Sequence, residues 1–410
     1  MRWPNLKRMW IFLAILGPGV IAAIAGNDAG GTATYSIVGA RFGYHMLWML
    51  FLVGISLIVI QEMCARMGVV TGKGLSDLIR EEFGVRWTFV VMLVLLVANI
   101  AVTISEFAGI AASLEIFNIS RYVSVPLMVL IIWGLMTRGS YKGVERVFIA
   151  ACFIYFTYIF SGILARPDWA VVFRNTVVPT FKFDHEFVMI AIAMIGTTVT
   201  PWMQFYLQSS VVEKGIKIKQ YSYQKWDVIL GSVIAVIIAF FIIVACGAVL
   251  HPHGIVISEA KEAALALKPF AGNFAALLFA VGLFASSTLG ASILPLSSSY
   301  AICEAFGWEN GISKKFDEAP IFYSLYTALI LIGGGVVLLP NMNLIHIMLF
   351  SQTTNGILFP FILIFMLLLV NNKRLMGEYT NSRFNNSVAW VTAGVLIVLT
   401  VLLVIFSVMV

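Results

Sequence analysis

The 410-residue chain is 60% hydrophobic and only 11% charged, with a mean hydropathy of +0.97. No soluble chain of this size could hide so much apolar surface, so the composition excludes a soluble protein and predicts an all-α polytopic membrane protein. The net charge of +6 reports how basic residues are distributed across the membrane rather than nucleic-acid binding.

Windows of about 20 apolar residues predict eleven spans. They lie near 10–37, 46–70, 87–116, 121–137, 146–165, 186–211, 227–250, 272–303, 320–339, 343–370 and 387–410. The first is too long for the apolar core of a signal peptide and lacks a small-residue cleavage site. With the N-terminus in the cytoplasm, 19 of the 26 Lys and Arg fall inside, among them Arg2, Lys7, Arg8, Lys142 and Arg146, and 7 fall outside. That bias predicts a multi-pass protein of the cell membrane, of the prokaryotic plasma-membrane kind, with its N-terminus inside and its C-terminus outside.

Span 1 is interrupted. GPGVIAAIA gives way to GNDAGG before TATYSIVGA resumes, and glycines disfavour helix where lipid demands it. Span 6 is interrupted in the corresponding place, HEFVMIAIAMIG giving way to TTVTP before WMQFYLQSS. The breaks open each set of five spans, and span 1 starts inside while span 6 starts outside. Matching interruptions in two halves of opposite topology predict an inverted 5+5 repeat, as in the amino-acid/sodium-symporter-like fold, with spans 1 and 6 unwound at the midplane. Residues 1–410 then form a single transmembrane transport domain. Repeat one covers about 10–165, repeat two about 186–370, and an eleventh span about 387–410.

Unwound segments expose backbone carbonyls, and a half-helix that ends there aims its negative end at the gap. Asp28 adds a carboxylate with no neighbouring cation, so the site suits a cation with hard oxygen ligands. Capping of the second half-helix by Asn27 or Asp28 is the simpler alternative. In span 6, Pro201 frees a carbonyl near Thr197, so that carbonyl and Thr200 are the candidates to face Asp28; the competing role for these threonines is bonding to their own helix. Gln352 and Asn355, three apart in span 10, share a face and either reach the midplane or join helices. Glu62 and Arg66 form an i,i+4 ion pair. Glu106 has no intrahelical partner, which leaves a proton site, a gate or packing open.

The outer connections 166–185 and 251–271 hold no span, and the second has amphipathic spacing. HPH at 251–253 reads as a loop turn, and Cys64, Cys152, Cys246 and Cys303 as apolar packers. No catalytic constellation and no nucleotide-binding Walker A motif appear, so the protein reads as neither an enzyme nor an ATP-driven pump. No cofactor, nucleic acid or obligate protein partner is expected; the partners are the bilayer and a cation.

GPGVIAAIAGNDAGG resembles the span 1 signature of the NRAMP family of divalent-metal transporters. ARMGVVTGKGLSDLIRE at 65–81 resembles the family's span 2 exit, GTTVTPWMQFYLQSS its span 6, and SEFAG (105–109) and SQTTN (351–355) its spans 3 and 10. The resemblance covers essentially the whole chain, and its departures are informative. It implies that the metal-binding aspartate is Asp28, while the family's asparagine is replaced by Gly31 and its methionine by Thr200. The carbonyl donated three residues earlier is that of Thr197. The histidine after the proline is Trp202, and of the acidic proton-path positions Leu96, Thr103 and Glu106 only the last keeps a carboxyl. Span 9 has no counterpart of the family's arginine.

Loss of the soft thioether and of the asparagine favours an oxygen-lined, roomier pocket. This pattern resembles the NRAMP-related magnesium transporters, which implies uptake of Mg²⁺, and also Mn²⁺, as a largely hydrated ion by alternating access without proton coupling. Gln352 and Asn355 would close the site; Glu106 and Trp202 would mark a vestigial proton path or gate. The main alternative is a proton-coupled Mn²⁺/Fe²⁺ importer with an atypical site. A symporter of organic solutes fits less well, since Asp28 would repel a substrate carboxylate, and a non-transporting scaffold or sensor is the remaining class.

Overall fold

The computed structural model describes residues 17–138, 156–182, 184–268, 272–312 and 314–409. The start of span 1 (10–16), the first half of span 5 (146–155), and Arg2, Lys7, Arg8, Lys142, Arg146 and Cys152 lie outside the described residues. All regular structure among the described residues is helical. In chain order the helices are α1 (Pro18–Ile24), α2 (Ala29–Phe42), α3 (Leu47–Thr71), α4 (Leu75–Glu115), α5 (Arg121–Arg138), α6 (Phe156–Leu164), α7 (Trp169–Val177) and α8 (His185–Thr198). There follow α9 (Pro201–Glu213), α10 (Tyr221–Val249), α11 (Ala260–Ala264), α12 (Ala275–Phe306), α13 (Pro320–Val337), α14 (Leu344–Val370), α15 (Lys373–Met376) and α16 (Arg383–Met409).

Among the described residues eight helical stretches are long and apolar enough to cross a membrane, α8 and α9 counting as one, and Arg121–Thr137 is a shorter apolar helix. Span 1 is the pair α1 and α2, too short individually to cross, and span 5 is represented by α6. Both expected interruptions are present: α1 ends at Ile24 and α2 begins at Ala29, while α8 ends at Thr198 and α9 begins at Pro201. Pro201 at the first position of α9 supplies a fixed φ and needs no donor there.

The two interrupted spans run in opposite directions. Arg41, at the end of α2, pairs with Glu186 at the start of α8 at 3.1 Å, and Thr180, just before α8, donates to the His45 carbonyl at 2.8 Å. At the other end of span 1, α1 begins against the first turns of α10 through Asp227. The core lies where α4 packs on α12 and α14, α8 on α14, and α10 on α1, α2 and α3. Close crossings use glycine: a side chain on Gly196 of α8 would collide with the α14 backbone at Gln352 and Gly356.

The span proper of span 3 follows Gly84 (φ 77, ψ 173), close to the expected 87, with a leading segment from Leu75 before it; glycine adopts such a conformation readily. Two expectations change. The connection 166–185 contains α7, capped by Asp168 through the amides of Ala170 and Val171. Gly30 and Gly31 lie inside α2 rather than in the unwound stretch. Their role there is close approach, since the Gln352 side chain occupies the place a Gly30 side chain would take.

The minor readings fare simply. Glu62 and Arg66 are paired at 3.4 Å, both nearly buried. Cys64, Cys246 and Cys303 are buried free thiols. His251 faces the Ala40 carbonyl and His253 that of Val249, so the HPH turn is held by backbone. In 251–271, α11 and the following 3₁₀ turn bury Ala260, Ala263, Ala264 and Leu267.

Candidate functional site

Asp28 is the N-cap of α2. Its Oδ1 accepts from the Gly31 amide at 2.7 Å and from Gln352 Nε2 at 3.4 Å. Capping by a short acidic side chain is what a helix start needs, so the simpler reading of Asp28 holds for this oxygen. The other oxygen, Oδ2, is buried without a hydrogen-bond partner, in a residue only 1% exposed. One half of the carboxylate does structural duty and the other is left open.

Further unpartnered oxygens lie on residues that contact Asp28 or its own partners. Glu106 on α4 lies directly against Asp28; its Oε2 accepts from the Ala29 amide at 3.3 Å, while its Oε1 is buried and unpartnered. Gly290 of α12 makes room for this carboxyl, since a side chain there would come within 2.5 Å of it. From α8, the Thr197 hydroxyl is buried and unpartnered and lies 3.0 Å from where a Gly31 side chain would begin. From α14, Asn355 donates to Gln352 Oε1 at 3.0 Å and keeps its own Oδ1 unpartnered. Two buried carboxyls this close need a cation or a proton between them.

The two breaks meet directly. Tyr35 of α2 and Thr198 of α8 share a hydrogen bond of 2.8 Å across the halves, and Thr198 also bonds back to Met194. The Thr197 carbonyl lies 3.5 Å from the place a Gly26 side chain would take. Asp28, Gly31, Thr197, Gln352, Asn355 and Glu106 thus form one contiguous group. Thr200 and Trp202 are not hydrogen-bonded to it. The Thr200 hydroxyl and Trp202 Nε1 are buried without partners, and their carbonyls accept from Gln204 and Ser297.

The room expected at Gly31 is filled in this conformation. A side-chain carbon there would sit 2.6 Å from the Gly26 carbonyl oxygen. The cavity between the breaks, walled by Gly26, Tyr35, Thr197 and Thr198, measures about 10 Å³, space for about one water. A thioether is also present where sequence reasoning saw none: the Met203 methyl abuts Gly26, while its sulfur accepts from Gln61 Nε2 at 3.6 Å. Its proximity comes from α9 folding back on the first break and has no sequence signal. Among the described residues no three His, Cys, Asp or Glu side chains group as a ready metal site.

The Natural resistance-associated macrophage protein-like (Nramp) family matches residues 19–406. The chain belongs to the Nramp family. It is 28% identical over 420 residues to the divalent metal cation transporter MntH of Clostridium acetobutylicum, covering 97% of this chain and 91% of that protein. The crystal structure of the Eremococcus coleocola manganese transporter, in complex with an aromatic bis-isothiourea compound, superposes with a TM-score of 0.78 at 20% identity, over 99% of this chain and 88% of that one. Mhp1, a nucleobase-cation-symport-1 family transporter, shares the fold at a TM-score of 0.60 and 15% identity, over 95% and 91% of the two chains. This Nramp protein is therefore a multi-pass membrane transporter of the inverted-repeat class and not an enzyme, and a metal is cargo for it rather than cofactor.

Proposed function

We propose that this Nramp protein carries Mg²⁺, and also Mn²⁺, into the cell as a largely hydrated ion, by alternating access and without proton coupling. The observation that carries this reading is the composition of the open group beside Asp28. Its unpartnered atoms are oxygens from Asp28, Glu106, Thr197 and Asn355, the hard ligands that Mg²⁺ prefers. Asp28 anchors the ion, the Thr197 carbonyl and hydroxyl and Thr200 complete the span 6 side, and Gln352 and Asn355 close over it. Gly31 contributes space only once the halves separate, because the small cavity admits no hydration shell while they are closed. An inside-negative potential of about 100 mV contributes roughly 4–5 kcal/mol to a divalent cation, so uptake needs no proton. We place the N-terminus in the cytoplasm, the C-terminus outside and the protein in a prokaryotic plasma membrane, with repeats at 10–165 and 186–370.

A second reading, a proton-coupled Mn²⁺/Fe²⁺ importer, draws on two contacts: Glu106 against Asp28, a place for a carried proton, and Met203 beside Gly26. Uptake of Mg²⁺ and Mn²⁺ into proteoliposomes, with internal pH recorded, separates the two. Saturable Mg²⁺ uptake with no acidification supports the first. Metal-driven acidification and no competition by Mg²⁺ against Mn²⁺ overturns it.

A further inference from the structure

The start of α1 is held by one buried side chain on another helix. Asp227 of α10 is fully buried. Its Oδ1 accepts from the amides of Gly17 at 3.0 Å and Val20 at 3.4 Å; its Oδ2 accepts from the Gly19 amide at 2.6 Å and from Gln224 Nε2 at 3.0 Å. Pro18 has no amide proton, so every donor from Gly17 through Val20 ends on this carboxylate. The first amides of a helix have no partners within it and carry its positive end, and here a single acid from elsewhere in the chain satisfies them. Gly17 (φ 150) bends the chain just before, in a conformation that side chains disfavour.

The seam beside this clamp is backbone on backbone. A side chain on Gly231 of α10 would begin 2.6 Å from Val20 Cα, and one on Gly19 2.7 Å from the Val228 amide nitrogen. α1 is only seven residues long, is joined to α2 through the non-helical residues 25–28, and lies on the side of the break where α10 begins. In an inverted-repeat transporter the path to one side opens as one repeat or bundle moves against the other around the central site, and α1 lies between that site and the side where α10 begins. A short element hinged at one end and clamped at the other has two discrete arrangements, clamped and free.

We propose that Asp227 is the latch of the inner gate: a positioning residue that keeps α1 on α10 while the inner path is closed, and that must let go for the ion to leave. The proposal rests on the transporter fold and not on which ion is carried. Asp227 touches no part of the group around Asp28. It therefore governs how often the gate opens rather than how the ion is held.

The test is alkylation of a cysteine in the seam. Val228, fully buried against Gly19, is replaced (Val228→Cys) in a chain whose four native cysteines are changed to alanine, and N-ethylmaleimide labelling is timed in detergent without added metal. Asp227→Asn points a donor at backbone donors. It should speed labelling about tenfold or more, as expected when the clamped state loses its advantage, and Asp227→Glu should restore part of the protection. Mn²⁺ binding at equilibrium should stay within about threefold of the parent, because the ion's own contacts are kept, while the maximal rate of uptake changes and its half-saturation does so less. Gln224→Ala, which removes one donor of four, should give a smaller acceleration. Unchanged labelling in monodisperse Asp227→Asn overturns the proposal; should that variant fail to fold, unchanged labelling in Gln224→Ala overturns it. Since labelling needs no ion, a failed Mg²⁺ uptake experiment leaves this result standing.

Discussion

Two buried aspartates bracket the same seven-residue half-helix. Asp227 sits at the start of α1 and Asp28 just beyond its end, and both belong to residues at most 1% exposed. Four donors converge on Asp227 and both of its oxygens are used. Asp28 has one oxygen occupied by Gly31 and Gln352 and one that no donor reaches. A buried charge that is fully hydrogen-bonded holds structure, and one left half-open in the interior is held for something that arrives. Burial and residue type are the same in the two cases; the count of donors distinguishes them.

The sharpest way to break this comparison is Asp28→Ala, which should abolish uptake, by about two orders of magnitude or more, since it removes the anchoring charge. Liposomes containing that variant and still filling with Mg²⁺ would remove Asp28 from the site. Its folding should survive, because what is lost is a helix cap at Gly31, the Gln352 hydrogen bond and the contact with Glu106.

Stability should instead fall at a buried ion pair tied to several partners. Arg66 pairs with Glu62, donates to the carbonyls of Tyr379 and Thr380, and is hydrogen-bonded to Asn381, while Glu62 also takes the Tyr221 hydroxyl. Arg66→Ala leaves Glu62 buried without its cation, at a cost of about 3–5 kcal/mol. A thermal melt in detergent checks it, and replacing both residues together should cost less than Arg66→Ala alone.

A third, smaller effect concerns selectivity. Thr200→Met with Gly31→Asn should favour Mn²⁺ over Mg²⁺ by about tenfold through the soft sulfur, read as competition in the same uptake assay. Gly31→Asn also crowds the Gly26 carbonyl at 2.6 Å, so Thr200→Met alone is the cleaner variant. The smallest effect is expected at the rim, where Lys73 and Glu81 pair at 2.6 Å with about half of each side chain exposed. Glu81→Gln should move stability by less than about 1 kcal/mol.

Much of this was legible in the residues. Apolar runs long enough to cross a bilayer leave little choice of element, and a lone acid among glycines announces a break because lipid tolerates neither. Asp28 stood out that way, Thr197 and Thr200 through Pro201, and Gln352 and Asn355 through their spacing; all but Thr200 are joined by contacts around Asp28. Other features left weaker traces. Asp227 stands at the first position of span 7, where an acid beside an apolar run was the available signal. Tyr35 and Met203 carried none, because aromatic and thioether side chains in a membrane helix are ordinary packing.

By itself the sequence determined the helical class, the positions of both interruptions and the charge at the first of them, because hydropathy and backbone propensity act over a few neighbouring residues. Only the tertiary structure decided that Gly30 and Gly31 serve close packing inside α2 rather than unwinding. It also decided that Glu106 rests on Asp28, and that one aspartate is saturated while the other is not. Those outcomes depend on helices from distant parts of the chain approaching within hydrogen-bond distance, Asp227 from about two hundred residues beyond Gly17 and Gln352 from more than three hundred beyond Asp28. No local pattern encodes how many donors such an approach delivers.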